Sequence, residues 1–182
     1  MRKYLKKREG GGPGGSVIAP SLNRLFYLRI FDSMLKFTLR RARHEDLERL
    51  DRIHSQNMKG YVERVYPWQP ELFREHFVPE EFTVVELAGT VVGFIKVVLG
   101  EDIYLGEIQV KPEYQNQGIG TRLLGLIIQE SERNNKRLWL KVIKGNPAVN
   151  FYTKLGFEVF AESETHHSME RMPNAAVDSN TR

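Results

Sequence analysis

The chain has 182 residues, of which 41% are hydrophobic, and this is enough for one globular domain with a packed core. It contains no cysteine, which excludes a disulfide framework, a thiolate nucleophile and a cysteine-ligated zinc, and which suits a reducing compartment. The net charge of +4 is concentrated at the start, since residues 1–33 carry +5 and the other 149 residues carry −1. The body of the protein therefore lacks the basic face of a nucleic-acid-binding protein.

Residues 1–33 are basic, then rich in glycine and proline, then apolar with interruptions at Pro20, Arg24 and Arg29. The interruptions are too frequent for a membrane-spanning helix, and the segment lacks the cleavage site of a signal peptide. We interpret it as a disordered leader, a cloning scar or an over-long start with Met34 as the native initiator, and we favour the last two. A basic organelle address is a weaker alternative.

From residue 34 onward, the spacing of apolar residues alternates between the period of a strand and the period of a helix. The predicted elements are a strand at 36–42, a helix at 44–58 that ends at Gly60, a helix at 70–77, two strands within 82–100 joined by a tight turn at Ala88 and Gly89, a strand at 102–110, a helix at 121–135, a strand at 137–143, a helix at 147–155, and strands at 156–164 and 166–172.

This order, β-α-α-β-β-β-α-β-α-β-β, predicts an α/β fold with a mixed sheet. Helices that follow strands require parallel neighbours, whereas hairpins near both ends require antiparallel ones. We expect a single domain over residues 34–173 and a frayed C-terminus over residues 174–182.

The segment QNQGIG, residues 115–120, joins a predicted strand to the long helix. The first amides of a helix have no partners within the helix and attract anions, and glycines at 118 and 120 remove β-carbons that would keep an anion away. Leu123 occupies the place of the third glycine of a dinucleotide-binding motif, and the Gly-Lys-Ser/Thr of a nucleotide triphosphate loop is absent. A sharp turn without a ligand remains the alternative for an isolated G-x-G.

The segment QNQGIG and the later segment NPAVNFYTKLGFE together resemble the GNAT superfamily of CoA-dependent N-acyltransferases. The first matches Q/R-x-x-G-x-G/A, the second matches N-x-A-x-x-x-Y-x-x-x-G-F, and the resemblance extends from Thr38 to about Met172. It implies a GNAT-like fold in which the fourth and fifth strands splay apart, and it implies acetyl-CoA as a co-substrate bound in the gap.

The resemblance also implies which residues bind the cofactor. Backbone groups of the fourth strand would pair with the pantetheine arm, amides of the glycine turn would bind the pyrophosphate, and an asparagine side chain would contact the arm. The corresponding residues are Ile108, Gln109, Val110, Gln115, Gln117, Gly118, Ile119, Gly120, Thr121, Arg122 and Asn146. Arg122 has a solvated surface role as an equal alternative, and Asn146 also suits the start of a helix.

Tyr152 occupies the tyrosine position of the second motif, and the resemblance implies that it is the general acid that protonates the departing thiolate. Packing in the core is the alternative for this ring, although Phe151 suits that role better because it has no hydroxyl. Glu107, on the strand that lines the gap, is the candidate base for the amine, with an exposed surface glutamate as the alternative. Lys141 replaces the glutamate of relatives that acylate protein N-termini, which counts against that subclass.

The resemblance directs the search for the acceptor pocket to the linker between the first two helices and to the last two strands. The candidates are Tyr61, Glu63, Tyr66, Trp68, Glu164, His166 and His167. His166 and His167 are neighbours on a strand, so their side chains point to opposite faces and only one can line a pocket. They do not form a metal pair, and we expect no metal. Packing of the linker on the core is the alternative for Tyr66 and Trp68.

The leading hypothesis is an enzyme that transfers an acetyl group from acetyl-CoA to a primary amine of a small molecule or peptide by direct attack, since the chain has no cysteine for a covalent intermediate. A CoA-binding sensor without chemistry is the second hypothesis, and an interaction scaffold is the third. We expect a cytoplasmic protein that binds neither nucleic acid nor membrane, with a homodimer left open.

Overall fold

The computed structural model describes residues 37–174. The expectations about the leader and about a frayed end therefore fall largely outside the described residues. The strands are β1 Phe37–Arg41, β2 Phe82–Leu87, β3 Thr90–Leu99, β4 Ile103–Val110, β5 Leu138–Ile143, β6 Glu158–Glu162 and β7 His166–Arg171. The α-helices are α1 Leu47–Val62, α2 Glu71–Glu75, α3 Ile119–Arg133 and α4 Ala148–Lys154. The predicted order of strands and helices is confirmed.

Helix α1 is longer than the sequence pattern predicts. We expected it to end at Gly60, but it continues to Val62, with a cap at Glu63 whose amide donates to Lys59 O. A glycine inside a helix costs only about 1 kcal/mol relative to alanine, so a favourable context outweighs it. The Lys59 and Glu63 side chains form an i,i+4 ion pair at 3.8 Å across Gly60, which favours the extra turn.

The seven strands form one mixed sheet in the order β1-β2-β3-β4-β5-β7-β6. Strands β1 to β4 are antiparallel neighbours, β4 and β5 are parallel, and β5, β7 and β6 are again antiparallel. Helix α3 makes the crossover that a parallel pair requires. The predicted mixed α/β architecture is therefore confirmed.

Helices cover both faces of the sheet. Adjacent residues of a strand point their side chains to opposite faces, so they pack against different helices. Val84 packs with Leu50 and Ile53 of α1, while its neighbour Val85 packs in the cluster that contains Leu123 of α3. Tyr152 of α4 belongs to that second cluster. The two cores place α1 and α4 on opposite sides of the central strands.

The β2–β3 hairpin has the two-residue turn that its sequence predicts. Ala88 and Gly89 both have positive φ values, 49° and 77°. Positive φ at both central residues is the signature of a type I′ turn, which matches the twist of the two strands. Alanine carries a steric penalty in this conformation that glycine does not.

Strand β4 bends away from β5 in the middle of the sheet. The parallel pairing ends at the Leu105↔Leu140 pair. On the other side of β4, the register with β3 shifts between Lys96 and Val97, which leaves Gly106 as an extra residue. A β-bulge bends its strand and increases its twist. The bulge therefore lies where β4 leaves β5, and the splay predicted for this strand pair is present.

Candidate functional site

A cleft of about 1140 Å³ opens where β4 and β5 separate. Its walls come from α1 and the linker after it, from the diverging halves of β4 and β5, from the glycine turn and from α4. The predicted site residues that line it are Tyr61, Glu107, Ile108, Gln109, Val110, Gln115, Gly118, Gly120, Thr121, Asn146, Tyr152 and His166. Those whose atoms do not line it are Gln117, Ile119, Arg122, Glu63, Tyr66, Trp68, Glu164 and His167.

The glycine turn leaves the start of α3 open to the cleft. Gly118 is the N-cap, with a φ of 81°, and a β-carbon added to it would meet no atom within 4 Å. The first hydrogen bond of the helix runs from Arg122 N to Gly118 O, at 3.0 Å. The amides of Ile119, Gly120 and Thr121 consequently have no partner within the helix. Such amides, together with the positive end of the helix dipole, are suited to an anion.

Side chains of the turn stabilise its shape. Gln115 Nε2 donates to Val110 O at 2.8 Å, and Gln117 Nε2 donates to Glu113 O at 3.0 Å. The side chain of Ile119 is buried in the core, so only its backbone is available to the turn. These contacts fix the turn before any ligand is present.

Arg122 and Asn146 are both partly committed within the protein. The Arg122 guanidinium carbon lies 5.8 Å from the centroid of the Phe37 ring, a cation–π distance. Asn146 Oδ1 accepts a hydrogen bond from Ala148 N at 2.9 Å, at the start of α4. The structure therefore places Asn146 both at the helix start and in the cleft wall, as both of its predicted roles require.

Tyr152 lies on α4 with its ring buried and its hydroxyl at the cleft. Among the described residues, that hydroxyl has no hydrogen-bond partner. Burial, and then the negative charge of Glu107 and the neighbouring Tyr104, raise the pKa of Tyr152 well above its usual 10. A phenol with a raised pKa stays protonated at neutral pH, so Tyr152 is a donor and not a base.

Glu107 faces the cleft from β4 and its side chain is 23% exposed. Its Oε2 accepts a hydrogen bond from Gln109 Nε2 at 2.8 Å, and its Oε1 lies 3.6 Å from His54 Nε2. Gln109 is itself buried and accepts from Asn57 Nδ2 at 3.0 Å. The carboxylate is thus part of a polar network that joins β4 to α1.

Sequence reasoning missed His54 and Asn57, the two α1 residues of this network. Their spacing of three residues places them on one face of the helix, and this spacing is the signal that could have found them. The His54 ring is stacked on Trp68 and Phe73, with centroid distances of 5.6 and 4.6 Å. Trp68 therefore supports His54 from behind instead of lining the cleft.

The linker after α1 contacts the hairpin formed by β6 and β7. Tyr66 Oη and Thr165 Oγ1 are 2.7 Å apart, and Thr165 Oγ1 is 2.8 Å from His166 Nδ1. The rings of Tyr66 and His166 are stacked with centroids 6.3 Å apart. Burial, and then the charge of Lys141, lower the pKa of His166 below its usual value. A neutral imidazole is therefore favoured at this wall of the cleft.

The remaining acceptor candidates point elsewhere. Glu164 is exposed at the tip of the β6–β7 hairpin, and Glu63 pairs with Lys59. His167 Nδ1 lies 3.2 Å from Glu162 Oε1 on the face opposite His166. Within residues 37–174, no group of three His, Asp or Glu side chains is arranged to hold a metal ion. None of the helices in this range is both long and apolar enough to cross a membrane.

Residues 44–157 match the sequence model of the Acetyltransferase (GNAT) family. The chain belongs to this family. The GNAT membership confirms the resemblance found in QNQGIG and NPAVNFYTKLGFE, and the matched residues contain all of the first segment and all of the second except its last residue, Glu158.

Similar GNAT proteins include an uncharacterised N-acetyltransferase of Methanocaldococcus jannaschii, 26% identical over 147 residues, which covers 72% of this chain and 65% of that protein. A thialysine N-epsilon-acetyltransferase of Sus scrofa is 37% identical over 71 residues, covering 38% of this chain and 42% of that protein. The chain thus spans less than two thirds of the length of these relatives.

The fold is also similar to that of known structures. The crystal structure of the PaiA N-acetyltransferase from Thermoplasma acidophilum in complex with coenzyme A superposes with a TM-score of 0.63 at 23% identity, covering 75% of this chain and 98% of that one. This similarity establishes the fold.

Proposed function

We propose that the protein is an N-acetyltransferase that transfers an acetyl group from acetyl-CoA to a primary amine of a small molecule or peptide by direct attack. The observation that carries the proposal is the meeting of three features in one cleft. These are an open helix start at Gly118, a strand edge that β5 leaves unpaired after Leu105, and two groups suited to proton transfer, Glu107 and Tyr152.

The residues present fit coenzyme A. The diphosphate would bind the free amides from Ile119 to Thr121, where the αL glycine leaves open space. The pantetheine arm would pair with backbone groups of residues 108–110 other than the Val110 carbonyl, because the β5-facing edge of these residues lies beyond the last β4–β5 pair. Family membership and the coenzyme A complex of the PaiA enzyme support the same ligand.

Tyr152 would act as the acid. Acetyl-CoA, when bound, supplies a thioester whose carbonyl carbon the neutral amine would attack, so that a C–N bond forms, the C–S bond breaks, and the second nitrogen proton goes to the Tyr152 phenolate or to water. The Tyr152 ring is buried, and its hydroxyl, which lies at the cleft without a hydrogen-bond partner in the described chain, stays protonated and would give its proton to the departing sulfur. Burial, and then the negative charge of Glu107, raise the pKa of Tyr152 and so keep it protonated until that step.

Glu107 would act as the base, because an ammonium ion has no lone pair and must lose a proton before it attacks. Among the described residues that line the cleft, Glu107 is the only acidic one. A carboxylate at the cleft surface can take the proton directly or through one water.

Tyr61 and His166 would form the acceptor wall beside Glu107, and the similarity to a thialysine N-epsilon-acetyltransferase supports a primary amine as acceptor.

The test is thiol release from acetyl-CoA with spermidine, lysine, an aminoglycoside and a peptide as acceptors. We expect release that depends on the amine, and a kcat about 100-fold lower in Tyr152→Phe, since general acid–base groups contribute about 10² to 10⁴ in rate. Coenzyme A affinity, measured by calorimetry, should change little in Tyr152→Phe because the ring remains.

Coenzyme A binding without turnover across the panel would contradict the enzyme and favour the sensor. Turnover that is unchanged in Tyr152→Phe would contradict the assignment of the acid alone. An absence of any coenzyme A binding would contradict the proposed function as a whole.

A further inference from the structure

Asn57 on α1 ends a chain of hydrogen bonds that leads to the proposed base. We propose that Asn57 is a positioning residue that fixes the direction of the Glu107 carboxylate through the side-chain amide of Gln109. This inference rests on the proposed function, because it concerns the residue that acts as base there. It adds to the site a residue that does not touch the reacting atoms.

The backbone carbonyl of Val110 determines the direction of the chain. A carbonyl only accepts, so the Asn57 atom 2.9 Å from Val110 O is the amide nitrogen. The same NH₂ group donates its other hydrogen to Gln109 Oε1, at 3.0 Å. The Gln109 oxygen is thereby occupied, and its nitrogen is turned toward Glu107, whose Oε2 lies 2.8 Å away.

Burial makes this arrangement difficult to replace. Gln109 is 7% exposed, so water has little access to its amide. A buried amide that loses its partner costs about 1–3 kcal/mol, and Gln109 has partners for both ends only in the observed orientation. Val110 O also accepts from Gln115 Nε2, so both of its lone pairs are used.

The network restrains both oxygens of Glu107. Gln109 donates to Oε2, while Oε1 faces His54, whose ring is held by the stack with Trp68 and Phe73. Each carboxylate oxygen has a second lone pair that can still accept a proton, and Glu107 lines the cleft. Proton transfer requires the amine and the Glu107 carboxylate to lie within hydrogen-bond distance. If Glu107 adopts another rotamer, the reaction therefore slows although the carboxylate keeps its charge.

Asn57→Asp tests the proposal with almost no change in shape. An aspartate cannot donate to Val110 O or to Gln109 Oε1, so the Gln109 amide should rotate and present its oxygen to Glu107. Two acceptors then face each other and Glu107 moves. We expect kcat to fall at least tenfold with the best acceptor of the panel, while the KM for acetyl-CoA changes less than twofold.

A double-mutant cycle separates positioning from general damage to the fold. The amide in Glu107→Gln can donate or accept, so it can pair with either orientation of Gln109. In that background we expect Asn57→Asp to change kcat less than twofold. A loss of tenfold or more in both backgrounds would overturn the proposal. Ser55→Ala, two residues from Asn57 on α1 and outside the cleft, is the matched control and should leave kcat unchanged.

The side-chain amide resonances of Gln109 give a readout that needs no turnover. They can be assigned in ¹⁵N-labelled full-length protein by their loss in Gln109→Leu. We expect Glu107→Gln and Asn57→Asp each to shift them, and Ser55→Ala to leave them in place. If Asn57→Asp leaves the resonances and kcat unchanged in a folded, active enzyme, the inference is wrong. A wild type that turns over no amine would contradict the proposed function, and the resonances would still decide whether Asn57 orients Gln109.

Discussion

The two sides of strand β4 differ in how they are used. Toward β3 it is paired from Ile103 to Val110, whereas toward β5 it is paired only from Ile103 to Leu105. The paired side joins β4 to a continuous antiparallel sheet whose faces are buried on both sides. The open side leaves backbone groups free at the point where the cleft begins. The contrast indicates that a strand can offer an unpaired edge when its other edge is bonded along its length, apart from the bulge at Gly106.

The largest expected effect comes from adding a side chain at Gly93, where β3 approaches β4 closely on the paired side. A β-carbon at Gly93 would lie 2.3 Å from Gln109 O, a backbone atom of β4 that cannot move alone. We expect Gly93→Ala to lower the free energy of unfolding by about 3 kcal/mol, the upper end of the cost of overpacking, as measured by urea denaturation.

The matched control for Gly93→Ala is Gly125→Ala. Gly125 lies inside α3, and its added β-carbon would meet nothing within 4 Å. Alanine is the better helix former there, so this variant should be more stable by about 0.5–1 kcal/mol. Equal destabilisation by the two substitutions would mean that the close approach of β3 to β4 does not cause the loss of stability in Gly93→Ala.

The paired side is also the part that the sequence predicts best. The β2–β3 hairpin follows from β-branched runs around Ala88-Gly89, and the element order follows from the change of period along the chain. Those signals are local, and both partners lie within about twenty residues. The glycine turn is similarly local, which explains why Gln115, Gly118 and Gly120 could be placed at the cleft wall from a short motif.

The open side depends on contacts that no local pattern contains. The bulge at Gly106 is defined only by its register against Lys96, and the network at Glu107 joins side chains 50 or more residues apart, such as Asn57 and Gln109. Trp68, an acceptor candidate in the linker, stacks on His54 and does not line the cleft, which agrees with its alternative of packing. Which side chains converge is set by tertiary packing, so residues of the glycine turn were easier to place at the cleft than residues of the linker after α1.

A smaller effect is expected at the start of α3. Gly118→Ala would place a β-carbon in the open space beside the free amides, and we expect coenzyme A to bind about tenfold more weakly, or about 1.4 kcal/mol, as measured by calorimetry. The free energy of unfolding should fall by only about 1 kcal/mol, which is the cost of alanine at positive φ.

Gly89→Ala isolates the backbone strain from the effect on the ligand. Gly89 has a φ of 77°, against 81° for Gly118, and a β-carbon at either position meets no atom within 4 Å. The two substitutions should therefore destabilise the fold to a similar degree, but Gly89 lies in the hairpin turn and its replacement should leave coenzyme A affinity unchanged. A parallel loss of affinity in both variants would show that strain, and not the β-carbon in the cleft, is responsible.

The smallest expected effect is a gain of stability in the same hairpin. Ala88 has a φ of 49°, a conformation that costs an alanine about 1 kcal/mol and that asparagine adopts more readily. Ala88→Asn creates the Asn-Gly pair preferred in type I′ turns, and we expect it to raise the free energy of unfolding by about 0.5–1 kcal/mol in urea denaturation. Because the turn lies on the paired side of the sheet and outside the cleft, the rate of thiol release should not change. A change in that rate would mean that the paired and open sides of β4 are mechanically coupled. The distinction between the two sides would then fail.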